Sequence, residues 1–293
     1  MKVTIIYFSP SGSTHKVAKL INAEFLKYDW EVQLLDMTKD TDLFPNGNIT
    51  KFLDKIEVHD LLLVGGPIYI DHLHYNVLDL IKQLPSADGI KYSKEVAIFT
   101  TFGKITPGVG APEATTALKV TGRSVWAALE IDSEHCVARN IPYHIGKKLP
   151  GDEILTLVSE LVEFLVKVVN SAKKPIKDIE DKLIGRYGMF PHLSDEREVT
   201  RLSFPNIEFN YDKCIKCLLC VKKCPVNYLI VKDGYPTISP IDICVHCTNC
   251  VYHCPTGAVI MDLANKEGFY RKQLEEQGLE PDGPSISKLI LAE

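Results

Sequence analysis

The sequence predicts an α/β fold, a doubly wound parallel sheet of five strands, with a small α+β unit after it. Two patterns support this prediction. Short apolar runs alternate with helix-like segments over the first 170 residues, and eight of the nine cysteines lie in a short stretch near the carboxyl end. Alternating strands and helices are typical of βαβ units, which pair their strands in parallel. Such strands are buried on both faces of the sheet, in agreement with their unbroken apolar character.

The five predicted strands are apolar, partly β-branched runs that are too short for helices. They span residues 2–8, 31–36, 60–65, 94–101 and 125–131. Helical periodicity fills most of the intervals, at residues 13–28, 49–57, 73–84, 112–124 and 152–170. In the first of these helices, Val17 and Ile21 recur at helical spacing behind Ser13, a candidate N-cap.

Length and composition limit the classes of function. The 293 residues suffice for one large and one small domain, and the apolar content of 45% allows a packed core. A net charge of -5 without a basic, aromatic-interleaved stripe argues against a nucleic-acid partner. The apolar runs are too short to span a bilayer, and the first residues lack the pattern of a signal peptide. We therefore expect a cytoplasmic protein without a membrane span.

The patterns divide the chain into four parts. The regular alternation of strands and helices stops near residue 171, and a compact cysteine-rich unit begins near residue 206. Short helices are expected over 176–184 and around 265–277. The expected divisions are an α/β domain at 1–171, a linker at 172–205, the cysteine-rich domain at 206–262 and a carboxyl-terminal tail at 263–293.

The cysteine-rich unit contains an internal repeat with a period of 30 residues. Each half reads C-x2-C-x2-C-x3-C-P, the spacing of bacterial ferredoxins that carry two [4Fe-4S] clusters. In that arrangement the fourth cysteine of each half binds the cluster of the other half. The predicted ligands are therefore Cys214, Cys217, Cys220 and Cys254 for cluster I, and Cys244, Cys247, Cys250 and Cys224 for cluster II.

The alternative is a pair of structural zinc sites, since eight thiolates suffice for two. Zinc modules favour two C-x2-C pairs separated by a longer spacer, so the repeat favours iron–sulfur clusters. Glycine often follows the second cysteine in ferredoxins, whereas this chain has Leu218 and Thr248 there. We expect the backbone approach to the cluster and the reduction potential to differ for that reason. The ninth cysteine, Cys136, is expected to be a buried apolar residue.

A loop of hydroxyl residues follows the first predicted strand and leads directly into a helix. It reads Ser9-Pro10-Ser11-Gly12-Ser13-Thr14, without the glycine spacing of a Rossmann motif or the Gly-Lys-Ser/Thr of a P-loop. The free N–H groups and the positive dipole of a helix N-terminus suit an anion, and the hydroxyls add donors. Because the loop has no charged side chain, it suits a phosphate monoester that is bound without a counter-cation.

Two more loops follow the third and fourth predicted strands. All three should meet at the carboxyl edge of the sheet, where ligands bind in open α/β folds. Each of the two loops has an aromatic residue and glycines, which suit the flat isoalloxazine ring of FMN. We therefore expect an FMN pocket there. Its candidate residues are Ser9, Ser11, Gly12, Ser13, Thr14, Pro67, Ile68, Tyr69, Thr100, Thr101, Phe102 and Gly103.

Residues 1–170 resemble the flavodoxin-like family, whose phosphate loop is similar to the Ser9–Thr14 segment of this chain. The whole chain resembles the flavodoxin–ferredoxin fusion proteins of anaerobic bacteria and archaea, which carry a flavodoxin-type domain first and a two-cluster ferredoxin domain last. The resemblance implies FMN, two [4Fe-4S] clusters and electron transfer, but no defined substrate.

The leading hypothesis is an iron–sulfur flavoprotein oxidoreductase. Single electrons would pass between the clusters and FMN, and FMN would exchange electrons with a small-molecule acceptor or a redox protein such as a ferredoxin. One alternative is an electron carrier without a substrate, and another is a binding module that has lost FMN. The sequence leaves the oligomeric state open, including a homo-oligomer in which the clusters face the flavin of a neighbouring subunit.

A few other residues have two interpretations each. His72 and His74 are expected to be surface or helix-start residues, with proton donation near the flavin or contact with a substrate as the alternative. Lys104 is expected either near the flavin or in solvent. Three lysines beside cluster I form a solvated face or a docking patch for an acidic redox partner: Lys216, Lys222 and Lys223.

Overall fold

The computed structural model describes residues 1–183, 197, 200 and 203–293. Its strands are β1 (Lys2–Tyr7), β2 (Glu31–Asp36), β3 (Leu61–Tyr69), β4 (His72–Leu73), β5 (Glu95–Phe102), β6 (Ser124–Asp132), β7 (Glu208–Phe209), β8 (Leu229–Lys232), β9 (Tyr235–Ile238), β10 (Val259–Ile260) and β11 (Lys288–Leu291). Its helices are α1 (Ser13–Leu26), α2 (Ile49–Leu53), α3 (Tyr75–Gln83), α4 (Gly110–Val120), α5 (Ile154–Asn170), α6 (Glu180–Leu183), α7 (Leu219–Lys223), α8 (Asn249–Tyr252) and α9 (Lys266–Glu276). No helix within these described ranges is long and apolar enough to cross a membrane.

Five parallel strands form the main sheet in the order β2-β1-β3-β5-β6. This is the flavodoxin-like order, in which the sheet grows outward in both directions from the first strands, and it confirms the predicted fold class. Helices α1 and α5 pack against each other, as do α3 and α4, so that each pair covers the sheet. The central strands β1, β3 and β5 are almost fully buried, because helices cover both faces of the sheet.

Some boundaries differ from the prediction. Strand β3 continues to Tyr69, beyond the predicted end at residue 65, and so carries the chain to the edge of the pocket described below. Helix α2 ends at Leu53 instead of residue 57. In the connecting segment, helix α6 begins at Glu180, and the linker beyond residue 183 lies largely outside the described residues.

The cysteine-rich unit is small and has little regular structure. Strands β7 and β10 pair with each other, and β8 and β9 form a hairpin. Helices α7 and α8 contain the third cysteine of each half of the repeat, Cys220 and Cys250. Among the hydrogen bonds that attach this unit to the first domain, the Lys39 N–H donates to the Pro225 carbonyl at 2.7 Å, and Asn227 Nδ2 donates to the Phe44 carbonyl at 2.9 Å.

The tail contains a strand that nothing in the sequence marked. Helix α9 forms where the sequence predicted a helix. After it the chain returns to the first domain, and β11 pairs antiparallel with β6 at the edge of the sheet. The tail therefore belongs structurally to the first domain, although it follows the cysteine-rich unit in sequence.

A buried ion pair anchors the returning tail. The Lys104 side chain is 1% exposed, and its Nζ lies 3.3 Å from Asp132 Oδ2. The same Nζ donates to the backbone carbonyls of Gly283, at 3.2 Å, and Pro284. Asp132 in turn accepts hydrogen bonds from the Ser285 and Ser287 hydroxyls and from the Ile286 N–H. The expectation of a solvated Lys104 was therefore wrong, because its ammonium group is buried and holds the tail.

We expect Asp132→Ala to destabilise the protein strongly. The substitution leaves the Lys104 ammonium group buried without its counter-charge, and breaking a buried ion pair in this way costs about 3–5 kcal/mol. Urea unfolding under anaerobic conditions measures the change. The control is Glu163→Ala, which breaks only an exposed pair with Lys167 on helix α5 and should have little effect. Equal stability of the two variants would contradict the assignment of an anchor.

Candidate functional site

A pocket with a volume of about 320 Å³ lies at the carboxyl edge of the parallel strands and is partly open to solvent. The three predicted loops converge on it, because the carboxyl ends of parallel strands meet at one edge. Seven of the twelve candidate residues line its wall: Ser11, Pro67, Ile68, Tyr69, Thr101, Phe102 and Gly103. The other five candidates, which do not line it directly, are Ser9, Gly12, Ser13, Thr14 and Thr100.

Some hydroxyls of the Ser9–Thr14 loop bond within the protein, whereas Ser11 lines the pocket. Ser9 Oγ accepts a hydrogen bond from the His15 N–H at 2.8 Å, and the Thr14 and Thr101 hydroxyls bond each other at 2.8 Å. These hydroxyls shape the loop. Gly12, at φ +99°, turns the chain into helix α1, and no side chain caps the helix from that position. The first N–H groups of the helix and the half-buried Ser11 hydroxyl are therefore suited to an anion at the pocket floor.

Tyr69 and Phe102 form the aromatic part of the wall. The Tyr69 hydroxyl accepts a weak hydrogen bond from the Cys136 thiol, with a sulfur–oxygen distance of 3.7 Å. Burial raises the pKa of both groups, so both stay protonated at neutral pH. Cys136 is half-buried and lines the pocket, whereas the sequence had suggested a buried apolar residue.

The loop after β6 also lines the pocket, although it was not among the three predicted loops. Gly103 allows the close approach of His135, since a Cβ at that position would lie 2.6 Å from the His135 ring. His135 Nδ1 accepts hydrogen bonds from the Val137 and Ala138 N–H groups, which leaves the proton of the neutral ring on Nε2. Burial lowers the pKa of His135 to about 4. This loop follows β6, the fifth strand of the parallel sheet in chain order, and that position could have identified it from the sequence.

The outer wall of the pocket comes from the end of the linker, the cysteine-rich unit and the tail. It comprises Ser203, Phe204, His246, Lys266, Phe269, Tyr270 and Gln273. The Tyr270 ring packs against His135 with centroids 4.4 Å apart, and Lys266 Nζ lies 4.3 Å from the Phe204 ring centroid. Sequence reasoning missed these residues because helix α9 has no motif and reaches the pocket only through the fold.

The two histidines after the third strand do not line this pocket. His72 Nδ1 bonds to the Glu113 carboxylate. His74 is the N-cap of helix α3, where its ring accepts a hydrogen bond from the Asn76 N–H at 3.2 Å. His74 is fully buried, and burial lowers its pKa to about 3. The helix-start interpretation thus fits His74, and neither histidine is placed for proton donation in the pocket.

The eight repeat cysteines surround two further cavities in the second unit. One cavity is lined by Cys214, Cys217, Cys220 and Cys254, and the other by Cys224, Cys244, Cys247 and Cys250. Each set combines three cysteines of one half with the fourth of the other, which is the crossed grouping expected from the spacing. Among the described residues, no group of three or more His, Cys, Asp or Glu side chains is arranged to hold a single metal ion.

The chemistry of the thiols fits iron–sulfur clusters. Backbone N–H groups of Tyr228 and Ala258 donate to the sulfurs of Cys224 and Cys254, at 3.2 and 3.1 Å. Burial raises the pKa of Cys244 and Cys250 to about 12, so these thiols would hold their protons without iron. Iron removes this penalty, because it replaces the protons and brings its own positive charge.

The residue that follows the second cysteine in each half of the repeat has a left-handed backbone conformation. Leu218 and Thr248 have φ of +57° and +59°, a conformation that favours glycine. This explains why ferredoxins often place glycine there. Thr248 has a compensating role: its hydroxyl donates to the Cys136 carbonyl at 2.6 Å and accepts from Asn140 Nδ2 at 2.8 Å. The cluster II loop is thereby attached to the pocket loop after β6.

His246 lies between the second cavity and the pocket, and it lines both. It follows Val245 in the cluster II loop at φ +50°, and its ring stacks on Phe204 with centroids 5.8 Å apart. Burial lowers its pKa, so the ring is neutral at pH 7. The cluster II cavity and the pocket are therefore neighbours within one chain.

Comparison with known proteins describes the two halves separately. Residues 213–260 match the family model of a 4Fe-4S dicluster domain. A flavodoxin from the domain Archaea is 16% identical with a TM-score of 0.42, covering 58% of this chain and 100% of that chain. Oxidised flavodoxin 1 from Bacillus cereus is 17% identical with a TM-score of 0.40, covering 57% and 98%. An apo NADH:FMN oxidoreductase is 16% identical with a TM-score of 0.43, covering 59% and 91%. A search of curated proteins found no match.

The strand order and the dicluster match together define a flavodoxin-like domain fused to a 4Fe-4S dicluster domain. Proteins with such a domain transfer electrons through iron–sulfur clusters. The expected class of fusion protein is confirmed.

We expect Thr248→Ala to weaken the attachment between the two units. The substitution removes the hydroxyl that donates to the Cys136 carbonyl and accepts from Asn140 Nδ2, at a cost of about 0.5–1.5 kcal/mol for each hydrogen bond, while Asn140 Nδ2 still donates to that carbonyl at 3.1 Å. The urea concentration that releases the cluster absorbance, measured anaerobically, should fall. Thr248→Ser keeps the hydroxyl and should remain close to the original protein. If serine and alanine behave alike, the hydroxyl does not attach the loop.

Proposed function

We propose that this protein is an iron–sulfur flavoprotein oxidoreductase in which two [4Fe-4S] clusters relay single electrons to or from FMN, which exchanges electrons with a small acceptor or a redox partner. The observation that carries the proposal is the position of His246, which lines both the cluster II cavity and the pocket. This position favours exchange between the clusters and the flavin site of one chain. We place the activity in the cytoplasm, where a reducing environment keeps the cysteines available for iron.

The burial of the cysteines supports an order of electron transfer. Cys217 is exposed, and its neighbour Ile215 is 63% exposed, so cluster I would lie near the surface. Cys247 and Cys250 are buried beneath the first domain, so cluster II would lie between cluster I and the pocket. Cluster I is therefore the proposed entry point and cluster II the link to the flavin site.

The pocket residues support FMN as the occupant. The Ser11 hydroxyl and the first N–H groups of helix α1 would hold the phosphate. Tyr69 and Phe102, with the backbone of their loops, would flank the ring. Neither the hydroxyl loop nor its helix start presents a cationic side chain within residues 9–14, so the phosphate would be held by dipoles and hydroxyls.

The outer wall favours a small acceptor over a pure electron carrier. The neutral His135 ring offers its Nε2 proton, and Lys266 and Gln273 are further hydrogen-bond donors at the same wall. Such donors suit an acceptor whose oxygen atoms gain negative charge on reduction. Steady-state reduction of a small quinone by the ferredoxin-reduced protein tests this point. If the protein is only an electron carrier, the original protein reduces the quinone no faster than the His135→Gln variant does.

The content of the purified protein tests the central proposal. We expect anaerobically purified protein to contain one FMN and two [4Fe-4S] clusters per chain, measured by visible spectroscopy and by iron and sulfide analysis. Clusters without flavin bands would reject the flavoprotein and leave a ferredoxin fused to an inactive domain.

We expect Ser11→Asp to abolish FMN binding while the clusters remain. A carboxylate beside the proposed phosphate position repels it, and a like-charge contact of this kind costs several kcal/mol, which weakens affinity by at least about a hundredfold. FMN titration of the deflavinated protein, followed by flavin fluorescence, measures the loss. Ser11→Ala is the matched control and should lose far less. Unchanged FMN affinity in Ser11→Asp would place the phosphate elsewhere.

We expect Lys216→Glu to slow electron entry from an acidic ferredoxin by about tenfold or more at low ionic strength, since steering by opposite charge raises association rates. Lys216 lies beside the exposed Cys217, with its Nζ 4.0 Å from the Tyr235 ring centroid. Lys272→Glu, on helix α9, is the control. Stopped-flow reduction measures both, and photoreduced deazaflavin should reduce all three proteins equally. An equal effect of the two substitutions would exclude a specific docking face.

A further inference from the structure

Arg139 is a buried cation at the boundary between the two units. It lies in the short 3-10 helix Ala138–Asn140, which follows the pocket loop after β6, and it is 8% exposed. Its Nη2 donates to the Asn249 side-chain oxygen and lies 3.5 Å from the Cys247 carbonyl oxygen. Its guanidinium carbon lies 4.4 Å from the centroid of the Tyr252 ring. These neighbours belong to the cluster II loop and helix α8.

All of these neighbours are electrically neutral. Among the described residues, Arg139 forms no ion pair with a carboxylate, and its Nε has no hydrogen-bond partner. An arginine cannot lose its proton in a protein, so the positive charge persists in this buried position. Burying a charge without a counter-charge is costly, which indicates that an anion balances Arg139 in the working protein.

The anion that the position favours is cluster II itself. The atoms that Arg139 contacts belong to Cys247 and Asn249, and the latter directly precedes Cys250. Cys247 and Cys250 line the cluster II cavity, together with Cys224 and Cys244. The sulfides and the four thiolates together carry more negative charge than the iron neutralises, so a bound cluster is an anion in the cavity whose lining includes Cys247 and Asn249, the two residues to which Arg139 bonds.

We propose that Arg139 is the counter-ion of cluster II and raises its reduction potential above that of cluster I. This inference rests on the proposed function, because it requires both clusters. Reduction adds one negative charge to a cluster, and a fixed positive charge in a buried, weakly polar environment stabilises the more negative form.

Cluster I has no equivalent buried cation in the part of the chain that the structure describes. The basic residues in its half of the repeat are exposed lysines, such as Lys216 and Lys222, whose charges are screened by water and salt. Because of this difference in burial, the cluster in one half of the sequence repeat is more readily reduced than the cluster in the other half. Electrons that enter at the surface are drawn toward the cluster beside the pocket.

Arg139 also has a structural role, since its partner Asn249 donates through Nδ2 to the carbonyls of Pro10 and Lys223. A test must separate the charge from these contacts. Arg139→Gln removes the charge but keeps a side-chain donor for Asn249. Arg139→Lys keeps the charge but loses the planar fork of donors.

The measurement is an anaerobic redox titration of the purified holoprotein followed by EPR, which reports the midpoint potential of each cluster. We expect Arg139→Gln to lower the potential of cluster II and leave cluster I unchanged. Arg139→Lys should stay close to the original protein. If Arg139 has only a structural role, Arg139→Gln does not lower the cluster II potential selectively, or Arg139→Lys lowers it as much as Arg139→Gln does. Either result overturns the proposal.

Arg271→Gln is the matched control. Arg271 also lies against a tyrosine, with its guanidinium carbon 3.8 Å from the Tyr143 ring centroid, but it is half-exposed and paired with Glu267. Its removal should leave both potentials unchanged. If Arg139→Gln does not assemble cluster II, Asn249→Asp provides the second test, because its carboxylate neutralises Arg139 in place. An unchanged cluster II potential in Asn249→Asp would also overturn the proposal.

The original protein separates this inference from the proposed function. If it contains no pair of [4Fe-4S] clusters, the proposed function fails first. If both clusters are present and the potential of cluster II does not respond to the Arg139 charge, only the counter-ion role fails.

Discussion

The contact of the cluster II loop with the segment after β6 sets the relation between the two units. Thr248 bonds the Cys136 carbonyl, and Arg139 bonds Asn249 across the same boundary. Asn249 continues to Pro10, in the hydroxyl loop. One loop thus touches the wall of the pocket on one side and the proposed phosphate site on the other. Since electron transfer depends on how far apart the redox groups lie, these few hydrogen bonds determine whether the two units can work together.

The sequence repeat conceals a physical asymmetry. Lys216 and His246 occupy equivalent positions, each in a left-handed conformation between the first two cysteines of its half. Lys216 lies in the exposed half and packs over Tyr235, whereas His246 is buried between a cavity and the pocket. A pattern that repeats one set of cysteines therefore gives its two cavities different surroundings. Burial, nearby charge and hydrogen bonds to sulfur are the factors by which a protein adjusts the potential of a cluster.

The parts of the site that could be predicted depend on local pattern. Strand ends follow from apolar runs, so the positions of Ser11, Tyr69 and Phe102 in the chain suffice to assign their loops to one edge of the sheet. The loop with His135 follows by the same rule and was overlooked. The outer wall could not be found in this way, because helix α9 is polar and carries no motif. Lys104 was misjudged for a related reason, since its partners Asp132 and Gly283 are brought to it only by the fold.

The sequence by itself determined the parallel sheet, the hydroxyl loop before helix α1 and the grouping of eight cysteines, because each depends on spacing over a few residues. The cysteine repeat shows this most clearly, since its spacing alone specified which thiols surround each cavity. Only the tertiary structure decided which cavity faces the pocket and that the tail returns to the sheet. It also decided that Arg139 meets Asn249, 110 residues away. Contacts at such separations leave no periodic trace in a chain, because they are selected by the packing of whole units.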